Sequence, residues 1–146
     1  MKIILGADHG GYELKNNIAL WLKENNYQFE DIGVFTPDSV DYPDIAYKVA
    51  KSVSNSEFDR GILVCGSGVG VSIVANKVKG IRAVNCHDTV TARLSRQHNN
   101  TNIITFGGRF IAKEMAYEIL KVWLNTEFEG GRHTNRINKI KQIEEK

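Results

Sequence analysis

The sequence predicts an α/β fold: a parallel sheet of five strands, covered by helices on both faces and followed by a basic C-terminal helix. Three observations carry this. Five short apolar runs alternate with longer segments of helical periodicity, the pattern of repeated strand–helix units. Glycine clusters and chemically versatile side chains fall just after those runs, and open α/β sheets bind ligands outside the carboxyl ends of their strands. The length of 146 residues fits one domain spanning 1–146. A chain of that size buries roughly two-thirds of its unfolded surface without help from a disulfide or structural metal.

The elements follow in order. Residues 2–7 form a buried-type strand, and residues 11–25 place Leu14, Ile18, Trp21 and Leu22 at helical spacing. Residues 27–32 read as a second strand ending at Gly33. Pro43 stands where a helix can begin, and Ala46, Val49, Ala50 and Val53 continue that helix's apolar face. The third strand is 60–65, with a glycine-rich turn and a helix after it. A fourth strand at 81–86 leads to a helix over 89–97, and a fifth at 102–106 leads to a helix over 111–124. Beyond Gly130-Gly131, residues 132–145 form the basic helix.

Composition narrows the function. Hydrophobic residues make up 42% of the chain and charged residues 25%, an ordinary globular balance. With 19 basic and 17 acidic residues the formal charge is +2, too even to point to nucleic acid or an anionic membrane as partner. The first apolar run breaks at Gly6, too soon for a signal-peptide core, and no stretch reaches the ~18 apolar residues of a membrane helix. Two cysteines without an export signal lead to the expectation of reduced thiols in the cytoplasm.

Cys65-Gly66-Ser67-Gly68-Val69-Gly70 is the strongest local signal. Glycines between a strand and a helix let backbone N–H groups face an anion, aided by the helix N-terminus. Val71-Ser72 stands where a nucleotide-binding loop carries Lys-Ser/Thr, and the dinucleotide fingerprint has a different glycine spacing. The other reading is a tight turn. Cys65 sits at the strand end, where a thiol is chemically useful, or it is a small apolar filler. An ordinary thiol is only about 3% thiolate at pH 7, and a helix terminus returns about 0.3–1 kcal/mol of the roughly 2 kcal/mol needed. A neighbouring hydroxyl such as Ser67, or a cation, is the candidate for the remainder. Cys86 lacks such a turn and reads as structural.

Asp8-His9-Gly10-Gly11 ends the first strand, either as an acid–imidazole site or as a helix cap beside a surface histidine. Arg109 follows the fifth strand. His98-Asn99 falls between the fourth helix and the fifth strand, at the opposite edge of the layer from Cys65. The polar surroundings of His98 predict an accessible imidazole suited to acid–base work. If His98 and Cys65 serve one site, a dimer that brings a neighbour's residue across is the simplest arrangement. Arg132 and Arg136 lie one helical turn apart with His133 beside them, either a clamp for a phosphate dianion or part of a solvated basic face.

Taken in order, these segments resemble the ribose-5-phosphate isomerase B / galactose-6-phosphate isomerase family. The markers are Gly6-Ala7-Asp8-His9-Gly10-Gly11, Asp41-Tyr42-Pro43, Cys65-Gly66-Ser67-Gly68-Val69-Gly70, Ala75-Asn76-Lys77, Ser95-Arg96-Gln97-His98-Asn99 and Glu129-Gly130-Gly131-Arg132-His133. They span nearly the whole chain. The resemblance implies a Rossmann-like three-layer α/β/α fold and a homodimer or homotetramer with sites shared between subunits. It implies a small-molecule sugar phosphate as substrate and no cofactor or metal.

By the same resemblance Cys65 is the base, supported by Ser67, and the amides of Gly66, Ser67, Gly68, Val69 and Gly70 stabilise an enediolate. His98, assisted by Asp8, opens the sugar ring. Arg132 and Arg136 with His9 hold the phosphate, with His133 beside them, and Asn99 and Arg109 contact substrate. Some members carry a glutamate base where this chain has Val71, so the cysteine mechanism is the one implied. Galactose-6-phosphate isomerases of the family divide these motifs between two different chains. Their union here favours the pentose phosphate, with allose 6-phosphate or galactose 6-phosphate as alternative substrates.

Two other classes remain for comparison. A non-catalytic sugar-phosphate sensor needs the arginines and glycines but no thiol. A cysteine phosphatase needs an arginine after its loop, where this chain has Gly70-Val71.

Overall fold

The computed structural model describes residues 1–146. Five parallel strands form one sheet: β1 (Lys2–Ala7), β2 (Gln28–Asp31), β3 (Arg60–Cys65), β4 (Ala83–Asn85) and β5 (Ile103–Gly107), in the spatial order β2-β1-β3-β5-β4. The chain leaves β1 towards β2 and then returns to the other side for β3. That reversal opens a crevice at the carboxyl ends of β1 and β3, where ligands of such sheets bind.

Six helices cover the sheet: α1 (Tyr12–Glu24), α2 (Tyr42–Ser54), α3 (Val69–Asn76), α4 (Thr89–Asn99), α5 (Lys113–Asn125) and α6 (Arg132–Glu144). The strands' period of two sorts their side chains between two cores. Ile3, Leu5, Ile62, Val64, Ile104 and Phe106 join Ile18 of α1 and Trp123 of α5. Ile4, Leu63, Cys65 and Ile103 join Val49 of α2 and Ala75 of α3. Each fully buried aliphatic or aromatic side chain of these layers contributes roughly 1.5–3 kcal/mol. Gly61 lets α2 approach closely, since a Cβ there would lie 2.9 Å from Val49 Cγ1.

The architecture matches the predicted one, with shorter edge strands than the apolar runs suggested. β2 starts at Gln28 and β4 spans only Ala83–Asn85. Helix α5 starts at Lys113 rather than 111. The helix expected over 89–97 continues through Asn99, so His98 and Asn99 occupy its last turn and not the connection to β5. Asn100, at φ 48°, stops the helix there and returns its N–H to the Arg96 carbonyl. Lys15 departs from its charged type: it is fully buried, with Nζ 2.7 Å from Asp31 Oδ2.

Candidate functional site

Three strand ends converge at the β1/β3 crevice. Asp8 follows β1, is buried, and its Oδ1 accepts from the Gly11 amide at 3.1 Å, capping a short 3-10 turn at His9–Gly11. Gly10 lies against the next loop so closely that a Cβ there would meet the Gly66 nitrogen at 2.9 Å. His9 Nδ1 accepts from the Val40 amide at 3.2 Å, which leaves Nε2 to carry the proton of the neutral ring.

Cys65 ends β3, is buried, and its sulfur accepts from the Gly68 amide at 3.1 Å. Gly68 adopts φ +77°, a left-handed conformation that turns its N–H back onto the sulfur. Thr105 Oγ1 donates to the Gly68 carbonyl at 2.8 Å, fixing the turn from β5. Gly68 at the N-cap has no side chain to cap α3, and the helix N-terminus lies beside the thiol with its partial positive charge. The Ser67 hydroxyl accepts from the Val69 amide at 3.2 Å. The recorded partner of the sulfur is thus a backbone N–H, with Ser67 bracing the same turn.

Arg109, after β5, holds its guanidinium against Gly66, where a Cβ would lie 3.1 Å from Nη1. Together with His9, Gly10, Tyr12 and Lys113 it lines a cleft of about 490 Å³. A thiol, oriented amides and cations on adjoining strand-end loops can together accept a carbon-bound proton and stabilise the oxyanion that results.

A second group gathers at the other end of the sheet. His98 ends α4, His133 lies in the first turn of α6, and their rings stack with centroids 4.4 Å apart and 15° between planes. The predicted accessible imidazole is therefore half-buried against a second one. His133 is buried among these groups, and burial pushes its pKa down from the usual value, as do the neighbouring His98, Arg132 and Arg136; Glu129 acts the other way. His133 and Ile137 turn inward on α6, while Arg132 and Arg136 share its exposed face. Asn99 is exposed beside them, and its carbonyl accepts from Arg82 Nε at 2.9 Å.

The predicted residues thus form two clusters. Asp8, His9, residues 65–70 and Arg109 lie at the carboxyl ends of the strands. His98, Asn99, Arg132, His133 and Arg136 lie near the amino end of β5. Within one chain Asp8 does not stand beside His98.

A family model described as ribose/galactose isomerase matches residues 3–140. The chain belongs to that family. Ribose-5-phosphate isomerase B of Escherichia coli is 46% identical over 145 residues, covering 99% of this chain and 97% of that one. The structure of Clostridium thermocellum ribose-5-phosphate isomerase B matches with a TM-score of 0.98 at 50% identity, covering 99% of this chain and 98% of that one. Ribose-5-phosphate isomerase B from Mycoplasma genitalium, solved with bound ribulose-5-phosphate, gives a TM-score of 0.94 at 42% identity, covering 99% and 97%.

In this ribose/galactose isomerase the structure adds residues that sequence reasoning did not single out. Tyr42, at the start of α2, packs its ring on Gly70, where a Cβ would meet Cε2 at 2.7 Å. Its Asp41-Tyr42-Pro43 motif was the available signal. Asn85 Nδ2 donates to the Ser67 carbonyl at 3.3 Å, and with Thr105 it supports the Cys65 turn from the strands beneath. Cys86 is fully buried, and burial followed by the charge of Asp88 pushes its thiol up to about 12, in keeping with a structural role.

Proposed function

We propose that this chain is an aldose–ketose isomerase that interconverts ribose 5-phosphate and ribulose 5-phosphate through a cis-enediolate. The observation that carries the reading is the Cys65 sulfur held at the start of α3, 3.1 Å from the Gly68 amide, on a loop that packs against Gly10 and Arg109. The 46% identity to a ribose-5-phosphate isomerase B over nearly the full length supports the substrate.

In this mechanism the Cys65 thiolate removes the proton from C2 of the open-chain aldose. The electrons move to the carbonyl, and the resulting enediolate is met by the amides of Gly66, Ser67, Gly68, Val69 and Gly70. The thiol then returns the proton to C1 while the C2 hydroxyl proton passes to O1, so that O2 becomes the ketone and O1 a hydroxyl. Ser67 holds the turn that presents the sulfur. His98 opens the furanose ring by moving a proton from the anomeric hydroxyl to the ring oxygen, with Asp8 assisting from the other cluster. His9, Arg132 and Arg136 bind the phosphate, and Arg109, Asn99 and His133 complete the substrate contacts. The reading needs no cofactor, because base, oxyanion donors and cations are all protein groups.

Two clusters at opposite ends of the sheet support a site shared between subunits of a homodimer, or of a homotetramer built from such dimers. Exposed apolar side chains on α3 (Val69, Ile73), α4 (Val90, Leu94) and α6 (Ile140, Ile143) suit that assembly. All of residues 1–146 serve as one isomerase domain in this reading, and two free thiols fit a reducing cytoplasmic setting.

The test is incubation of the pure protein with ribose 5-phosphate and no added metal, following ketose formation, with Cys65→Ala in parallel. The expected result is turnover in the parent and at least ~10²–10⁴-fold less in the variant. A parent that binds ribose 5-phosphate without converting it redirects the assay to six-carbon phosphates, and silence there leaves the sensor reading.

A further inference from the structure

The stacked imidazoles have a carboxylate beside them. Glu129 Oε2 lies 3.7 Å from His133 Nε2, and one ligand atom from each of His98, Glu129 and His133 falls within 4.8 Å of the others. Two imidazoles and a carboxylate are a donor set for zinc-type dications, and three protein ligands with an open fourth position make a reversible site.

The scaffold holds the three residues in place. The Glu129 amide donates to the Gln97 carbonyl at 3.1 Å, tying the loop before α6 to the last turn of α4 beside His98. The His133 amide donates to the Gly130 carbonyl at 3.1 Å, fixing the first turn of α6. Tetrahedral zinc with bonds of about 2.0–2.2 Å needs ligand atoms roughly 3.3–3.5 Å apart. The Glu129–His133 pair is close to that separation already. The remaining contraction requires one ring to leave the stack and aim its lone pair at the metal. Arg132 and Arg136 oppose a dication nearby, which separates this site from a tightly closed structural centre.

We infer that His98, Glu129 and His133 bind Zn²⁺ reversibly, and that the bound metal inhibits the isomerase by occupying the His98 imidazole. The inhibition rests on the assignment of ring opening to His98; the metal site itself does not.

Zinc also binds thiolates, so the test uses Cys65→Ala protein, in which only the buried Cys86 thiol remains. Calorimetric titration with zinc chloride is expected to show one site per chain. Adding Glu129→Gln should weaken binding at least roughly tenfold, the least that loss of even an outer-shell partner usually costs. Adding His98→Asn should abolish it. Cobalt chloride on the same protein should give a tetrahedral visible spectrum without a sulfur charge-transfer band. No binding to Cys65→Ala, or equal binding with and without Glu129, overturns the site.

In the parent, zinc should slow ribose 5-phosphate turnover reversibly on chelation, and Glu129→Gln should retain activity while needing at least roughly tenfold more zinc for the same effect. Binding that follows the three ligands but leaves turnover intact overturns the inhibition. It places the fault in the role of His98 and not in the metal site.

Discussion

The Gly68 amide donates to the Cys65 sulfur at 3.1 Å, across a turn that only a left-handed residue 68 can make in this form. The contact joins backbone conformation to the placement of the sulfur, because the N–H aimed at it fixes where the thiol sits. A Cβ on Gly68 would lie 2.4 Å from Asn85 Oδ1 and 2.7 Å from the Phe106 carbonyl carbon. Gly68→Ala is therefore expected to displace the turn, lowering turnover by about 10²-fold and stability by about 1–3 kcal/mol. Assay and urea denaturation on the same preparation read both, and unchanged turnover would show that the amide contact is dispensable.

The two thiols should separate in a labelling experiment. Cys86 is fully buried, and its thiol is pushed up to about 12, so it stays protonated and shielded at pH 8. Cys65 is buried too, but it ends β3 at the glycine turn proposed to receive substrate. Native protein treated with iodoacetamide at pH 8 should take up a single label at Cys65, slowed by ribose 5-phosphate. Denatured protein should take up two. Rapid labelling of Cys86 in the native protein would contradict its structural assignment.

The cap of α4 gives a pH dependence with a defined sign. Asp88 accepts from the Thr91 amide at 2.6 Å and the Thr91 hydroxyl at 2.8 Å, and these bonds lower its pKa below the ordinary 3.8. A carboxyl depressed on folding contributes stability that is present above its unfolded pKa and lost as pH falls through the folded one. Asp88→Ala should therefore melt at a lower temperature than the parent at pH 7, with the difference narrowing as pH falls below about 3.8. A gap that persists unchanged in acid would mean the carboxylate is not the cap that matters.

The sheet and the Cys65 turn were legible because their signals are local: short continuous apolar runs, and glycines where backbone approaches backbone. Side-chain partnerships across the fold were not. Lys15 finds Asp31 sixteen residues away, and nothing in the periodicity of α1 distinguishes it from a solvated lysine. Arg96 stands in a recognisable motif, yet its role emerges only in three dimensions. It is buried, donates through Nε to the Thr126 carbonyl at 3.2 Å and through Nη1 to Asn100 Oδ1 at 2.9 Å, and also reaches the Thr101 carbonyl. Those bonds fix the end of α4 and with it His98. The His98–His133 stack is likewise a contact between separate elements, invisible to a reading that took each histidine with its chain neighbours.

The proposed division of the site between subunits has a quantitative consequence. Cys65→Ala destroys one cluster and His98→Asn the other, and each homodimer loses both of its sites for ribose 5-phosphate. In a hybrid of the two chains, one site combines both defects, while the other combines the intact Cys65 cluster of one subunit with the intact His98 cluster of its neighbour. Purified hybrid should recover about half the parental activity, and a random mixture, half of it hybrid, about a quarter. Two affinity tags and co-expression allow the hybrid to be isolated, with turnover of ribose 5-phosphate as the readout. An inactive hybrid made from two folded variants would place both clusters' work within a single chain, despite their separation across the sheet. Recovery near one half would instead show that each site draws one cluster from each subunit.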